Sequence, residues 1–83
     1  MAETAAAINY APPAKRSVLI AGHATSISLE PLFWHALEVS ARDQALPVNA
    51  LIAEVDAARL KAQRPPNLTS ALRQWLFARA LCG

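Results

Sequence analysis

The chain has 83 residues, of which 54% are hydrophobic, and its formal net charge is +2 at neutral pH. A chain of this length forms one small domain with little material for a core of its own, so support from a second copy is expected. The single cysteine, Cys82, excludes an intramolecular disulfide, and two histidines with one cysteine fall short of a structural zinc set. We therefore expect no metal, no cofactor and a homo-oligomer.

Apolar and charged residues are unevenly spread along the chain. No apolar run is long enough to cross a membrane, and the first residues, MAETAAAINYAPP, lack the apolar core of a secretory signal. A cytoplasmic protein with no membrane partner is expected. Carboxylates dominate between Ala24 and Ala58, whereas only cations occur from Arg59 onward.

The first half of the chain predicts an arm followed by strands. Residues 1–14 are rich in alanine and contain two adjacent prolines, which predicts a disordered arm before a domain at 15–83. Strand-forming residues follow in Val18–Ile20 and again in the alternating run Thr25–Leu29. Gly22 allows a turn or bulge between them, so this region is either one long, kinked strand or two short strands.

The run Thr25–Leu29 has two distinct faces. Because side chains alternate across a strand, Ile27 and Leu29 share a face that belongs in a core. The opposite face carries Ala24, Ser26 and Ser28.

Three helices are predicted after the strands. The first begins at Pro31, which suits an opening helical turn, and runs to about Asp43. The second opens at Pro47 and carries an apolar stripe as far as Leu60, before a pair of prolines. The third spans Asn67 to Leu81, with its cap at Asn67 or Thr69.

A strand region this short predicts a dimer. A lone strand leaves its backbone N–H and C=O groups unpaired, and the same strand of a second copy can pair with them. Antiparallel pairing about a two-fold axis gives a two-stranded ribbon, with the helices of both chains sharing a core beneath it. Dimerisation is then a requirement for folding.

The stretches RSVLIAGHATSISLEPLFWHAL, LIAEVDAARL and NLTSALRQWL resemble a small bacterial family of ribbon-helix-helix proteins, over about Arg16 to Leu76. The resemblance implies a mostly α fold with a short β-strand, built as an intertwined homodimer with an intermolecular antiparallel ribbon. The C-terminal helix is then an addition to the shorter members of the fold. The residues expected in the dimer core are Ile27, Leu29, Trp34, Leu37, Leu51, Ile52 and Val55.

The resemblance also implies sequence-preferring binding to double-stranded DNA by a transcription regulator, with the ribbon in the major groove. The residues expected to contact bases are Ala24, Ser26 and Ser28. They depart from the Arg, Lys, Asn or Gln of strongly reading relatives, because serine offers one hydrogen bond and alanine only contact with a thymine methyl. Direct readout is therefore expected to be modest.

Contacts to the DNA backbone are expected from two places. Lys15 and Arg16 precede the ribbon and, together with His23, are placed to meet phosphates. The start of the second helix, at Val48 and Asn49, presents free backbone N–H groups and the positive end of the helix dipole to a phosphate.

A protein-interaction module is the alternative function. Antitoxins of this fold bind another protein through their extensions, and here the C-terminal helix is the expected partner surface. The direction of Glu30 and Glu54 decides between the two, because carboxylates beside the ribbon would repel DNA. An enzyme is not expected, since Gly22 and His23 lack a nucleophile, a carboxylate or a metal set to work with and no catalytic residue is assigned.

Overall fold

The computed structural model describes residues 8–83, which form a two-stranded antiparallel ribbon packed against three helices. The mostly helical class, the ribbon and the added C-terminal helix are confirmed. Of the predicted arm, residues 1–7 lie outside the described part of the chain, and residues 8–13 form neither helix nor strand. The elements are β1 (Ala14–Ile20), β2 (His23–Leu29), α1 (Pro31–Asp43), α2 (Val48–Arg59) and α3 (Leu68–Cys82).

Both strands of this ribbon belong to one chain, which corrects the prediction that the strand region is a lone strand whose backbone partner comes only from a second copy. Ala14 pairs with Leu29 and the register continues without interruption to Ile20 opposite His23. Two short strands were one of the two arrangements predicted from the sequence, and this is the one that forms. Strand β1 lies directly before the turn and pairs with β2, so one side of β2 is hydrogen-bonded without a partner chain.

The reversal between the strands takes only Ala21 and Gly22. Their φ angles are 50° and 84°. Two-residue hairpins favour turns with positive φ at both central residues, because such turns match the twist of the flanking strands. Gly22 adopts this conformation without strain, whereas Ala21 carries a Cβ that disfavours it.

Helix α1 ends through its own backbone geometry before the proline is reached. The N–H of Leu46 donates to the Ala41 carbonyl at 2.9 Å, and the N–H of Ala45 donates to the Arg42 carbonyl at 3.0 Å. This pair of bonds is a Schellman motif, which requires a left-handed residue after the cap. Ala45 fills that position with a φ of 56°.

The connection from α2 to α3 is held by side chains. Helix α2 ends at Arg59, whose guanidinium donates to Asp56 at 2.8 Å and to the Pro66 carbonyl at 3.0 Å. Helix α3 is capped by Asn67, whose side-chain oxygen accepts from the Ser70 N–H at 2.8 Å. Of the two caps that the sequence left open, Asn67 and Thr69, Asn67 is the one that forms.

The core lies beneath the ribbon and closes within one chain. Helix α3 contributes Ala71, Leu72 and Leu76 to the same cluster as the ribbon residues. It therefore covers apolar surface that was predicted to pack against a second chain. The residues predicted for a shared dimer core are all buried inside the single chain, namely Ile27, Leu29, Trp34, Leu37, Leu51, Ile52 and Val55.

The turn predicts opposite effects for two substitutions. Ala21→Asn should raise the free energy of unfolding by up to about 1 kcal/mol, because asparagine tolerates positive φ far better than alanine. Gly22→Ala should lower it by about 1–2 kcal/mol. No atom lies within 4 Å of a Cβ built at Gly22, so the loss is conformational and not steric. Urea unfolding followed by circular dichroism measures both, and equal values for the two variants would contradict the turn geometry.

Candidate functional site

The exposed face of the ribbon is built from both strands. The register places Lys15 opposite Ser28 and Ser17 opposite Ser26. Each of these side chains is exposed. The face therefore presents one ammonium group and three hydroxyl groups, and it holds no carboxylate. Its six residues are Lys15, Ser17, Leu19, Ala24, Ser26 and Ser28.

Sequence reasoning placed only half of this face. Ala24, Ser26 and Ser28 lie where their alternation indicated. The contribution of β1 was missed, because Lys15 was assigned to a basic stretch before the ribbon and Ser17 was given no role. The signal available was the strand-forming run Val18–Ile20, followed by two residues for a turn at Gly22.

Arg16 points to the other side of the ribbon, toward α1. Its guanidinium donates to Glu38 at 2.9 Å and lies 4.6 Å from the centroid of the Trp34 ring. The indole N–H of Trp34 in turn donates to the Ala14 carbonyl at 2.8 Å. Arg16 therefore ties β1 to α1, and of the two adjacent cations only Lys15 lies on the exposed face.

The start of α2 lies beside the tip of the ribbon. The side-chain amide of Asn49 donates to the Leu19 carbonyl at 3.4 Å. Pro47 occupies the cap position and no side chain caps this helix, so the first backbone N–H groups of α2 have no side-chain acceptor. His23, exposed at the turn end of β2, lies at the same end of the ribbon. Val48, by contrast, is half-buried.

Most carboxylates of the described residues are paired with arginines. The pairs are Arg16 with Glu38 at 2.9 Å, Arg59 with Asp56 at 2.8 Å, Arg73 with Glu30 at 3.0 Å and Arg79 with Asp43 at 3.8 Å. Within residues 8–83, only Glu54 has no cation within ion-pair distance, whereas Lys15, Arg42, Lys61 and Arg64 have no carboxylate partner. The unpaired charge of the described chain is therefore mainly positive.

The carboxyl group of Glu30 has a lowered pKa. The hydrogen bond from its own backbone N–H, followed by the hydrogen bond from Arg73, holds the pKa of the Glu30 carboxyl below its ordinary value. Because the folded pKa lies below the unfolded one, these contacts stabilise the fold above the unfolded pKa. Their contribution is lost as the pH falls through the folded pKa.

The described residues hold neither a cluster of metal ligands nor a membrane-spanning helix. Across residues 8–83, no three His, Cys, Asp or Glu side chains come together in a group that could hold a metal ion. Among these same residues, no helix has the length and apolar character needed to cross a membrane.

Comparison with protein families assigns the chain to a family. A family model described as a ribbon-helix-helix domain matches residues 13–80. The chain belongs to the ribbon-helix-helix domain family. Domains of this family are generally DNA-binding modules of transcription regulators or antitoxins, typically homodimeric and not enzymatic. No curated protein and no solved structure matched the chain.

The limits of the family match include both outer elements of the fold. The match begins one residue before β1 and ends within α3. The first strand and most of the C-terminal helix therefore fall within the family match.

The contacts of Arg16 predict a structural role that can be measured. Arg16→Gln should lower the free energy of unfolding by about 1 kcal/mol, since it removes a half-exposed ion pair and the contact with the Trp34 ring. Arg42→Gln is the matched control, because Arg42 has no ion-pair partner, and it should change stability by less than about 0.5 kcal/mol. Urea unfolding compares the two, and an equally small effect at Arg16 would show that its contacts do not stabilise the fold.

Proposed function

We propose that this ribbon-helix-helix domain binds double-stranded DNA as a homodimer and regulates transcription in the bacterial cytoplasm. The observation that carries the proposal is the exposed face of the ribbon, with its cation, its hydroxyl groups and its lack of carboxylates. The major groove accepts a two-stranded β-ribbon, and its base edges offer donors, acceptors and the thymine methyl. The side chains of this face match that chemistry.

Base contacts are assigned to the β2 side of the exposed face. The hydroxyls of Ser26 and Ser28 can donate to or accept from base edges, and the methyl of Ala24 can contact thymine. None of these contacts is bidentate, so each discriminates weakly between bases. Sequence preference then depends on several small contacts together with the shape of the DNA.

Backbone contacts are assigned to the tip of the ribbon and to Lys15. The uncapped N–H groups at Val48 and Asn49 lie beside the tip, where the positive end of the helix dipole favours a phosphate. His23 lies at the same end and is exposed. Arg16 was expected to contact the backbone, but its pairing with Glu38 makes Lys15 the stronger candidate.

A second copy can join along the free edge of β2. The Leu19 carbonyl bonds outside the ribbon, to Asn49. In an antiparallel pair, the backbone N–H and C=O groups of alternate residues point toward the partner strand or away from it. The residues opposite Leu19, Ser17 and Lys15 therefore have backbone groups that point to the free edge of β2. These three residues are Ala24, Ser26 and Ser28.

The two edges of the ribbon differ in protection. Edge strands of monomers are usually guarded by charges, prolines or covering elements. The β1 edge has Lys15 and the contact of Asn49, whereas the exposed residues on the β2 edge are small and uncharged. Antiparallel pairing of two β2 edges would give a four-stranded sheet, of which the two central strands fit a groove about 12 Å wide. Lys15 then lies toward the phosphates at each side.

The DNA-binding test separates base contacts from phosphate contacts. The purified protein is incubated with random DNA duplexes, and the retained DNA is sequenced and used to measure affinity against salt. Lys15→Ala should make the log–log salt slope shallower by about 0.9 per chain, because one phosphate contact is lost. Ser28→Ala should leave the slope unchanged and alter the preferred sequence.

Lys61→Ala is the matched control for the removal of charge. Lys61 is an exposed, unpaired cation in the connection between α2 and α3, and its loss should leave the slope unchanged. Equal slopes for the Lys15 and Lys61 variants would reject the assignment of Lys15. Failure of the parent protein to retain any duplex at low salt would reject DNA binding itself.

The mode of pairing has its own test. Ser26→Pro removes an N–H that faces the free edge of β2 and should abolish the dimer while the hairpin remains, because proline is tolerated where the N–H faces outward. Ser17→Pro makes the same change on the β1 edge and should leave the dimer intact. Sedimentation equilibrium gives the assembly state and circular dichroism checks the fold. Loss of the dimer in both variants, or in neither, would contradict pairing through β2.

A protein-interaction module is the second candidate, favoured by the last turns of α3. Phe77 is 65% exposed and Leu81 is 72% exposed, which is unusual for large apolar side chains on one helix. An antitoxin-like or adaptor role would use this surface for a protein partner. Absence of DNA retention in the experiment above would favour this candidate.

A further inference from the structure

Arg73 joins the middle of α3 to the junction between the ribbon and α1. Its Nη2 atom lies 3.0 and 3.2 Å from the two carboxylate oxygens of Glu30. The guanidinium also lies 5.6 Å from the centroid of the Phe33 ring in the first turn of α1. We name the contacts among Arg73, Glu30 and Phe33 the clasp.

Glu30 is the position at which the direction of the chain changes. It is the one residue between the end of β2 and the start of α1, and it serves as the cap of that helix. The angle between ribbon and helix is therefore set by very few backbone torsions. A contact from a residue 43 positions further along the chain restricts those torsions from outside.

The opposite side of α3 is buried in the core at the same helical turn as the clasp. Leu72, the neighbour of Arg73, is completely buried in the cluster that contains Ile27 and Leu29 of the ribbon. One turn of α3 thus contacts both the underside of β2 and the junction at its end. Helix α3 is placed to set the tilt of the ribbon and not only to fill space beneath it.

We propose that Arg73 is a positioning residue that, through Glu30, fixes the tilt of the ribbon on the helices and thereby the presentation of its exposed face to DNA. The effect on DNA presentation rests on the proposed function, whereas the effect on ribbon tilt does not. The ion pair is partly exposed, with 39% of the Arg73 side chain and 34% of the Glu30 side chain accessible, and such pairs add little to stability. The main effect is therefore geometric.

The chain offers a matched control on the same helix. Arg79 lies 5.2 Å from the centroid of the Trp75 ring and 3.8 Å from Asp43, so it makes the same two kinds of contact. Its partners are the end of α1 and α3 itself, and not the junction with the ribbon. Arg79→Ala removes comparable chemistry without touching Glu30.

The first measurement needs no DNA. Amide hydrogen exchange is followed in the parent protein and in the Arg73→Ala and Arg79→Ala variants, under conditions where circular dichroism shows all three folded. Loss of the clasp should speed exchange several-fold in the amides of β2 and of the first turn of α1, with α2 unchanged. Unchanged exchange in β2, or equal acceleration throughout the chain, would overturn the proposal regardless of what the protein binds.

The second measurement uses the random DNA duplexes that the parent protein retains. Arg73→Ala should weaken binding by about 2- to 30-fold, the range in which residues remote from a ligand alter affinity, with the salt slope unchanged. A shallower slope would make Arg73 a phosphate contact and reject a positioning role. Unchanged affinity, or the same loss in Arg79→Ala, would reject it as well.

A double-mutant cycle tests the route through Glu30. Glu30→Gln, Arg73→Ala and the double variant are compared by exchange of the β2 amides. If Arg73 acts through Glu30, the double variant should exchange no faster than the Arg73 variant alone. Independent, additive effects would contradict the proposal. If the parent protein retains no DNA, the DNA-binding function fails, and the exchange measurements still decide whether Arg73 positions the ribbon.

Discussion

The backbone of β2 has to be hydrogen-bonded, and the rest of the structure depends on how this requirement is met. Two residues, Ala21 and Gly22, reverse the chain so that β1 supplies the partner strand. Backbone N–H and C=O groups of β2 that are shielded from water and lack a partner would be unfavourable, so without this turn a second copy would have to pair with them. Here the hairpin removes that need. The backbone groups of β2 that face β1 are therefore satisfied within one chain.

The closure of the core in one chain follows from the hairpin. A ribbon that is complete in one chain presents its apolar face to the helices of that chain, and α1 and α2 are joined there by α3. At the rim, a repeated contact fastens α1 and α3, in which an arginine pairs with a carboxylate and lies near an aromatic ring. Arg16, Arg73 and Arg79 each make this contact. The first two fasten the ribbon to α1 and α3, so the exposed face is held from both sides.

Much of the fold could be predicted from residue patterns, and the misses have a common cause. Pro31, Asn67 and the alternation in β2 have strong local preferences, and the elements they predicted are present. The turn places an alanine, Ala21, at positive φ, which no residue preference indicates, so a hairpin and a kinked strand both stayed open at Gly22. Because the strand-forming residues were placed at Val18–Ile20, Lys15 was assigned to a basic stretch before the ribbon, and its position on the exposed face was missed. The pairing of Arg16 with Glu38 joins positions 22 residues apart, and it could not be read from local spacing.

The net charge of +2 conceals how charge is distributed over the folded chain. The run of carboxylates between Ala24 and Ala58 argued against DNA binding when only the sequence was considered. Folding brings an arginine to all but one of them, and a paired carboxylate repels a distant phosphate far less than a free one does. Among residues 8–83, no carboxylate lies within ion-pair distance of Lys15 on the ribbon. A weakly basic chain can therefore present a cationic, carboxylate-free face, and the objection based on acidic residues loses most of its force.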